Sequence, residues 1–236
     1  MNRNDAMVKS FLNLTTPMVA DACVRSDVPL RVAPAGIRAV IPGSKVAGRA
    51  LTARHYGSVD SFLAALSRSE DGDVFVIDNG GRTDEACIGD LVVLETQSAR
   101  LSGIVLWGLH RDTTELTEIG LPVFSYGDYP AGPNRLDPWE ADALESSRFG
   151  SLLITNDDYV FGDDNGVVFV DAEHVDDVLV TADTIRAMEQ DQSRKMREGE
   201  TLRAQTDFSG YLAHREGDPT YTFRQHLRKV RGAIEE

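Results

Sequence analysis

From residue 74 to residue 125 the chain alternates short apolar runs with segments of helical period. Strands are expected at 74–77, 104–107 and 122–125, with helices at 90–101 and 112–119 between them. Two consecutive βαβ units follow, because parallel neighbours must be joined by a crossover, and such crossovers are right-handed. This is the strongest constraint on the fold. It puts the carboxyl ends of the strands on one edge, where the departing loops usually build a binding site.

The flanks are less regular. Thr15-Thr16-Pro17 supplies an N-cap and a first-turn proline for a helix reaching about Val24. A Pro/Gly-punctuated stretch covers 29–48, a strand 48–53 and a short helix 60–66. Beyond Pro130 come strands at 152–155, 159–161 and 167–170, separated by Asn156-Asp157-Asp158 and Gly162-Asp163-Asp164-Asn165-Gly166, which suggests antiparallel hairpins. A helix over 175–197 precedes a polar tail with a last helix near 223–234. With no linker, low-complexity run or repeat in 236 residues, the expectation is one α/β domain over 1–200 and a polar extension over 201–236.

Net charge is −14, which opposes binding to a phosphate backbone, so no nucleic-acid partner is expected. No apolar run approaches the roughly 20 residues that cross a bilayer, and the start does not lead into a signal-peptide core. No membrane partner and a cytoplasmic location are expected. Cys23 and Cys87 are the two cysteines, too few for a disulfide framework, and are expected as reduced, partly buried thiols. A basic cluster of Arg224, His226, Arg228, Lys229 and Arg231 reads as a solvated or subunit-contacting helix.

Chemistry concentrates at two junctions. Gly89-Asp90-Leu91-Val92 opens one helix and Arg111-Asp112-Thr113-Thr114-Glu115 opens the next. A helix start offers unpaired N–H groups to an anion, and an Arg-Asp pair adds a fixed cation and a hard oxygen ligand. Taken alone, Asp112 reads more readily as an N-cap, forming a capping-box pattern with Glu115, and Asp90 has the same alternative. Pairing both acids with Arg111 on adjacent strand ends favours a site, since burying them together for stability alone gains little. The expectation is a metal-assisted enzyme acting on a small carboxylate.

Other chemistries fit poorly. Lys9, Lys45, Lys195 and Lys229 all lie outside apolar strand patterns, which disfavours imine catalysis. Histidines 55, 110, 174, 214 and 226 lack zinc-site spacing. His110 could approach the site, although a loop histidine is the plainer reading. Asp163-Asp164-Asn165-Gly166 fails as a calcium loop, because the flanking ligand positions hold Phe161 and Ala172. Asn79-Gly80-Gly81 lacks phosphate-loop spacing and reads as a place of close backbone approach to a ligand or a neighbouring subunit.

The chain resembles the RraA-like family, which joins regulators of ribonuclease E activity to divalent-metal-dependent pyruvate aldolases acting on 4-hydroxy-4-methyl-2-oxoglutarate and 4-carboxy-4-hydroxy-2-oxoadipate. The likeness runs from about Thr15 to Glu200. It includes Asp21-Ala22, Gly48-Arg49-Ala50-Leu51-Thr52, Gly72-Asp73-Val74-Phe75-Val76, Gly108-Leu109-His110-Arg111-Asp112, Gly120-Leu121-Pro122-Val123-Phe124 and Gly162 to Val167. The spacing from Asp90 to Arg111-Asp112 is that of the aldolase members, whereas ribonuclease regulators typically lack the full set of acids.

The resemblance implies a compact α/β/α sandwich with central parallel βαβ units and additional antiparallel hairpins, assembled as a homotrimer or hexamer with inter-subunit sites. It makes Asp112 the ligand of Mg²⁺ or Mn²⁺ and Arg111 the contact to a keto or enolate oxygen. Asp90 would position a water, and Gly89 with the N–H groups of Leu91 and Val92 would hold a pyruvyl carboxylate. An acid from a neighbouring subunit's late helix is also implied, with Glu189 a candidate. Trp107-Gly108 stands where members commonly carry Asp-Gly, so Trp107 either reshapes the pocket or fills core. The implied reaction is retro-aldol cleavage of a 4-hydroxy-2-oxo acid to pyruvate and a second carbonyl compound, with oxaloacetate decarboxylation beside it. A ribonuclease-binding regulator is the alternative. Quinone methylation has little support, for want of a glycine-rich nucleotide-binding fingerprint and of a membrane-facing apolar stretch.

Overall fold

The computed structural model describes residues 3–230. The chain begins with α1 (Arg3–Leu12), α2 (Thr16–Arg25), β1 (Arg31–Val32), β2 (Arg38–Ala39), β3 (Val46–Arg54) and α3 (Asp60–Leu66). Its centre holds β4 (Val74–Asp78), β5 (Ala86–Ile88), α4 (Asp90–Ser98), β6 (Gly103–Trp107), β7 (Leu109–His110), α5 (Thr113–Ile119) and β8 (Val123–Ser125). There follow β9 (Ser146–Phe149), β10 (Leu152–Thr155), β11 (Asp158–Asp163), β12 (Gly166–Asp171) and α6 (Val175–Arg197). Last come α7 (Leu202–Gln205), α8 (Phe208–Gly217) and α9 (Phe223–Val230).

The main sheet has eight strands in the order β1-β12-β11-β3-β4-β6-β8-β2. Its middle is parallel, from β3 through β4 and β6 to β8, and both expected βαβ units are there. Antiparallel strands flank this centre: β11 pairs β3 and β12, β1 pairs β12, and β2 pairs β8. The β9–β10 hairpin stands apart from this sheet.

Side-chain alternation shows how the layers are filled. Outward residues Phe75, Ile77, Ile104 and Leu106 pack with Phe62, Val93 and Leu116 of α3, α4 and α5. Farther along the same face, Ala47, Phe161 and Val168 meet Phe11, Val19 and Leu179 of α1, α2 and α6. Inward residues Val74, Val76, Val105, Phe124 and Phe169 meet one another and Phe149 and Ile154 of the hairpin. The expected α/β fold, with parallel βαβ units and antiparallel flanks, is thus realised as a mixed sheet curled on itself, with these helices on its outer face and the hairpin within. Gly162 of β11 marks the curl, since a Cβ there would lie 2.8 Å from Val46 Cγ1 and 3.2 Å from Phe124 Cζ, although β8 lies three strands beyond β3.

Several boundaries differ from expectation. The α4 helix stops at Ser98, because Arg100 turns left-handed (φ 61°). Thr15 occupies the N-cap of α2 without a side-chain bond. A tertiary partner replaces it: the Thr16 N–H and hydroxyl both donate to Asp163, at 2.8 and 2.7 Å. Asp163 also receives the Asn165 N–H across the expected hairpin turn. The terminal helix is described to Val230, so positions 231–234, and Arg231 of the basic cluster, lie outside the described residues.

Within that cluster His226 is buried, donating to the Thr206 carbonyl at 2.9 Å amid the rings of Tyr211 and Phe223. It belongs to a small aromatic core of the tail, a correction to the solvated reading, while Arg224, Arg228 and Lys229 are exposed. Cys23 and Cys87 are free and buried. Burial pushes the Cys23 thiol up to about 11 and raises Cys87 as well. Among the described residues no helix is long and apolar enough to cross a membrane.

Gly162→Ala is expected to cost ~1–3 kcal/mol by overpacking the inner face. The check is a lower urea midpoint with an unchanged denaturant slope.

Candidate active site

Two short strands outside the main sheet assemble the site. β5 and β7 pair in parallel, Ala86 with Leu109 and Ile88 with His110, and the Arg111 N–H donates to the Ile88 carbonyl at 3.0 Å. This places Gly89-Asp90 beside Arg111-Asp112. The strand handing over to α4 is therefore β5, whereas β4 runs into the Asn79-Gly80-Gly81 loop.

Asp112 has left-handed backbone angles (φ 61°, ψ 42°) and makes no side-chain cap on α5. Its Oδ2 instead accepts the Asp90 N–H at 3.3 Å and lies 3.5 Å from Arg111 Nε. Glu115 is exposed, so the capping-box reading of these two acids is corrected. A capping bond is worth ~1 kcal/mol, and a non-glycine residue in this backbone region is strained. The fold forgoes the first and accepts the second, which favours a functional use of this carboxylate. Gly89 allows the approach, since a Cβ there would stand 2.3 Å from Asp112 Oδ2.

Asp90 Oδ1 accepts the N–H of Leu91 at 2.8 Å. Leu91, Val92, Gly89, Asp90 and Arg111 all line one cavity of about 150 Å³, together with His55 and Cys87. Geometry thus brings together Gly89, Asp90, Leu91, Val92 and Arg111, with Asp112 against Gly89. His110 stands apart, buried at the end of β7 between Ser125 Oγ (2.7 Å) and Thr113 Oγ1 (3.1 Å), and this corrects its reading as a loop histidine.

A buried polar network lies behind His55. Its Nδ1 is 2.8 Å from Asn79 Oδ1, Arg135 donates to that oxygen and to the His55 carbonyl, both at 3.0 Å, and Arg135 Nε meets Glu85 at 3.0 Å. Arg135 comes from the long excursion between β8 and β9 and fastens it over the pocket. Sequence reading missed this group because its members share no spacing. The one signal was Asn79, noted only as part of a glycine-containing turn. His55, Asn79 and Arg135 also line a second, open cavity of about 480 Å³, of which Trp107 forms one wall. Trp107 both shapes this cavity and fills core, stacking on Phe149 and donating to the Tyr126 hydroxyl. Gly81 fits tightly against the Trp107 ring, so the close approach at this loop is intramolecular.

Burial holds the imidazoles of His55 and His110 below the usual 6.5. The folded state resists protonating them and the unfolded state does not, so this contribution is complete above the unfolded pKa. Stability is expected to fall as pH drops below about 6.5 toward the depressed folded values. His174, raised by Asp171, acts in the opposite sense but is exposed and screened. Urea midpoints measured between about pH 7.5 and pH 5 check the sign, and the loss should shrink in His110→Gln.

Comparison with known proteins places these features. A provisional 4-hydroxy-4-methyl-2-oxoglutarate aldolase of Bacillus cereus is 32% identical over 104 residues, covering 44% of this chain and 64% of that protein. A second protein so named, from Aromatoleum aromaticum, is 24% identical over 149 residues, covering 63% and 92%. The chain thus spans a little under two thirds of the Bacillus relative. Among solved structures, Streptomyces coelicolor RraAS2, described as an unusual member of the RNase ES inhibitor RraA family, superposes with a TM-score of 0.70 at 25% identity, covering 81% and 98%. An uncharacterized Pseudomonas syringae protein shares the fold, with a TM-score of 0.72 at 22% identity, covering 84% and 95%. The RraA-like (Aldolase/RraA) profile matches residues 16–169, more than half of the sequence, and the chain belongs to that family.

Proposed function

We propose that the chain is a divalent-metal-dependent (class II) pyruvate aldolase, a carbon–carbon lyase that cleaves a 4-hydroxy-2-oxo acid to pyruvate and a second carbonyl compound. The carrying observation is the Asp112 carboxylate, kept off its own helix and held beside Arg111 and the start of α4. The aldolase names of relatives support the reading.

The residues suit a hard cation. Asp112 Oδ2 is engaged by Asp90 and Arg111, and Oδ1 has no hydrogen bond among the described residues. Those residues form no cluster of three His, Cys, Asp or Glu, so this chain would supply Asp112, with the remaining oxygens from water, substrate or a neighbouring subunit, as Mg²⁺ readily accepts. A bound Mg²⁺ or Mn²⁺ would act as a Lewis acid toward the 2-oxo group.

The Arg111 guanidinium then binds the oxygen on which enolate charge develops. Leu91 and Val92, at the start of α4, direct N–H groups toward the substrate carboxylate. The Leu91 N–H is held by Asp90 in this structure, so substrate entry turns the Asp90 side chain away and frees it to position a water. Loss of CO₂ from oxaloacetate reaches the same enolate, and decarboxylation accompanies aldolase activity.

Exposed Val59, Leu63, Leu91 and Leu94 form an apolar surface beside the cavity. It supports a homotrimer or hexamer with sites between subunits. We place the protein in the cytoplasm and treat 201–236 as an extension outside the catalytic unit.

Pyruvate release from 4-hydroxy-4-methyl-2-oxoglutarate and from oxaloacetate, with Mg²⁺ or Mn²⁺ and with chelator, tests the reading. Arg111→Ala is expected to lower kcat on the order of 100- to 1000-fold, and Asp112→Asn to abolish the metal response. If no 2-oxo acid turns over with metal and the chain instead binds a ribonuclease in a salt-sensitive complex, the regulator reading replaces this one.

A further inference from the structure

His55 stands between the two cavities, with a side chain only 1% exposed. Its hydrogen bonds fix its tautomer. A guanidinium can only donate, and Arg135 Nη2 lies 3.0 Å from Asn79 Oδ1, so the amide oxygen must face Arg135. That oxygen can only accept, and His55 Nδ1 is 2.8 Å from it. Arg135 Nη2 also lies 3.3 Å from Nδ1, but its two hydrogens are used by the shorter 3.0 Å bonds to Asn79 Oδ1 and the His55 carbonyl. The hydrogen between Nδ1 and Asn79 is therefore assigned to Nδ1, and in the neutral ring Nε2 holds the lone pair. Among the described residues no hydrogen bond reaches Nε2.

The ring is held in place. It stacks on Phe62 at 5.1 Å, and Asn79 is itself anchored by Arg135, which Glu85 holds. The charged groups around it are Arg135, Glu85 (3.7 Å from Nδ1) and Asp60. Burial outweighs the two acids and keeps the ring neutral near pH 7. A neutral imidazole with an oriented donor and a free lone pair on the wall of a small reaction cavity is the arrangement a general base requires. Asp90 and Arg111 line the same cavity as His55, whereas Asn79 and Arg135, the partners on the Nδ1 side of the ring, line only the other one.

We propose that His55 Nε2 is the general base of the retro-aldol step, an inference that rests on the aldolase reading above. Nε2 takes the proton of the substrate 4-hydroxyl. The oxygen's electron pair forms the new C4 carbonyl, the C3–C4 bond breaks, and its electrons pass into the C2–C3 enolate. The imidazolium then returns its proton to C3, releasing pyruvate and restoring the neutral ring. Asn79 is a positioning residue that fixes the tautomer. Oxaloacetate decarboxylation has no hydroxyl proton to remove, so Nε2 is never loaded with one; C3 of the enolate left by CO₂ takes its proton from water, and the reaction does not need this base.

That difference supplies the test. In the full chain, His55→Gln is expected to lower kcat/KM for 4-hydroxy-4-methyl-2-oxoglutarate on the order of 100-fold or more, while oxaloacetate decarboxylation stays within about threefold and reports an intact fold and enolate site. Asn79→Asp, which sets a carboxylate against Nδ1, is expected to move the acid limb of the retro-aldol pH profile to higher pH. Equal loss of both reactions in His55→Gln, an unchanged retro-aldol rate, or an acid limb unmoved in Asn79→Asp overturns the role of His55 and leaves the aldolase reading standing. Failure of the unsubstituted chain on both substrates overturns the aldolase reading, and this inference with it.

Discussion

The backbone pairing of β5 with β7 is the contact on which the candidate site depends. It is short and parallel and lies off the main sheet, yet it sets the register between two helix starts. With the Arg111 N–H on the Ile88 carbonyl, Gly89 falls opposite Asp112 and has no Cβ to hold the carboxylate away. A shift of one residue would turn these side chains to the other face. The left-handed turn at Asp112 then directs its carboxylate toward Asp90 and Arg111.

Elsewhere, buried acids tie the two N-terminal helices to the curled sheet. Asp73 is fully buried and accepts from the Arg49 guanidinium, the Asn4 amide and the Glu70 N–H. Asp163 does the same for the start of α2. An unpaired buried carboxylate would cost several kcal/mol, so each acid requires its donors to be in place. The helices over the outer face are located by polar demands of this kind as well as by apolar packing.

Much of the layout was legible in local pattern. The alternation from Val74 to Ser125 marks the parallel centre, because each apolar run is too short for a helix and each intervening segment too long for a turn. The bounds of α3 and α6 follow from the same periodicity. Asp90, Arg111 and Asp112 stood out because two acids and an arginine at helix starts are hard to explain by stability alone. Their contact through Asp112 Oδ2 was not legible, since capping and ligation use the same residue in the same place. The His55, Asn79, Glu85 and Arg135 network was less visible still. Its members come from the end of β3, the loop after β4 and the excursion after β8, and no spacing rule links them.

By itself, then, the sequence determined the parallel units, the hairpin turn at Asp163 to Gly166 and which residues are candidates for a site. These rest on local propensities and on side-chain chemistry, which neighbours in the chain suffice to express. Only the tertiary structure decided that the sheet curls until Gly162 meets Phe124, that Asp163 rather than Thr15 starts α2, and that Asp112 leaves its own helix uncapped. It also set His55 against Asn79 and Arg135. Each of those outcomes depends on hydrogen-bond partners or packing surfaces brought in from distant parts of the chain.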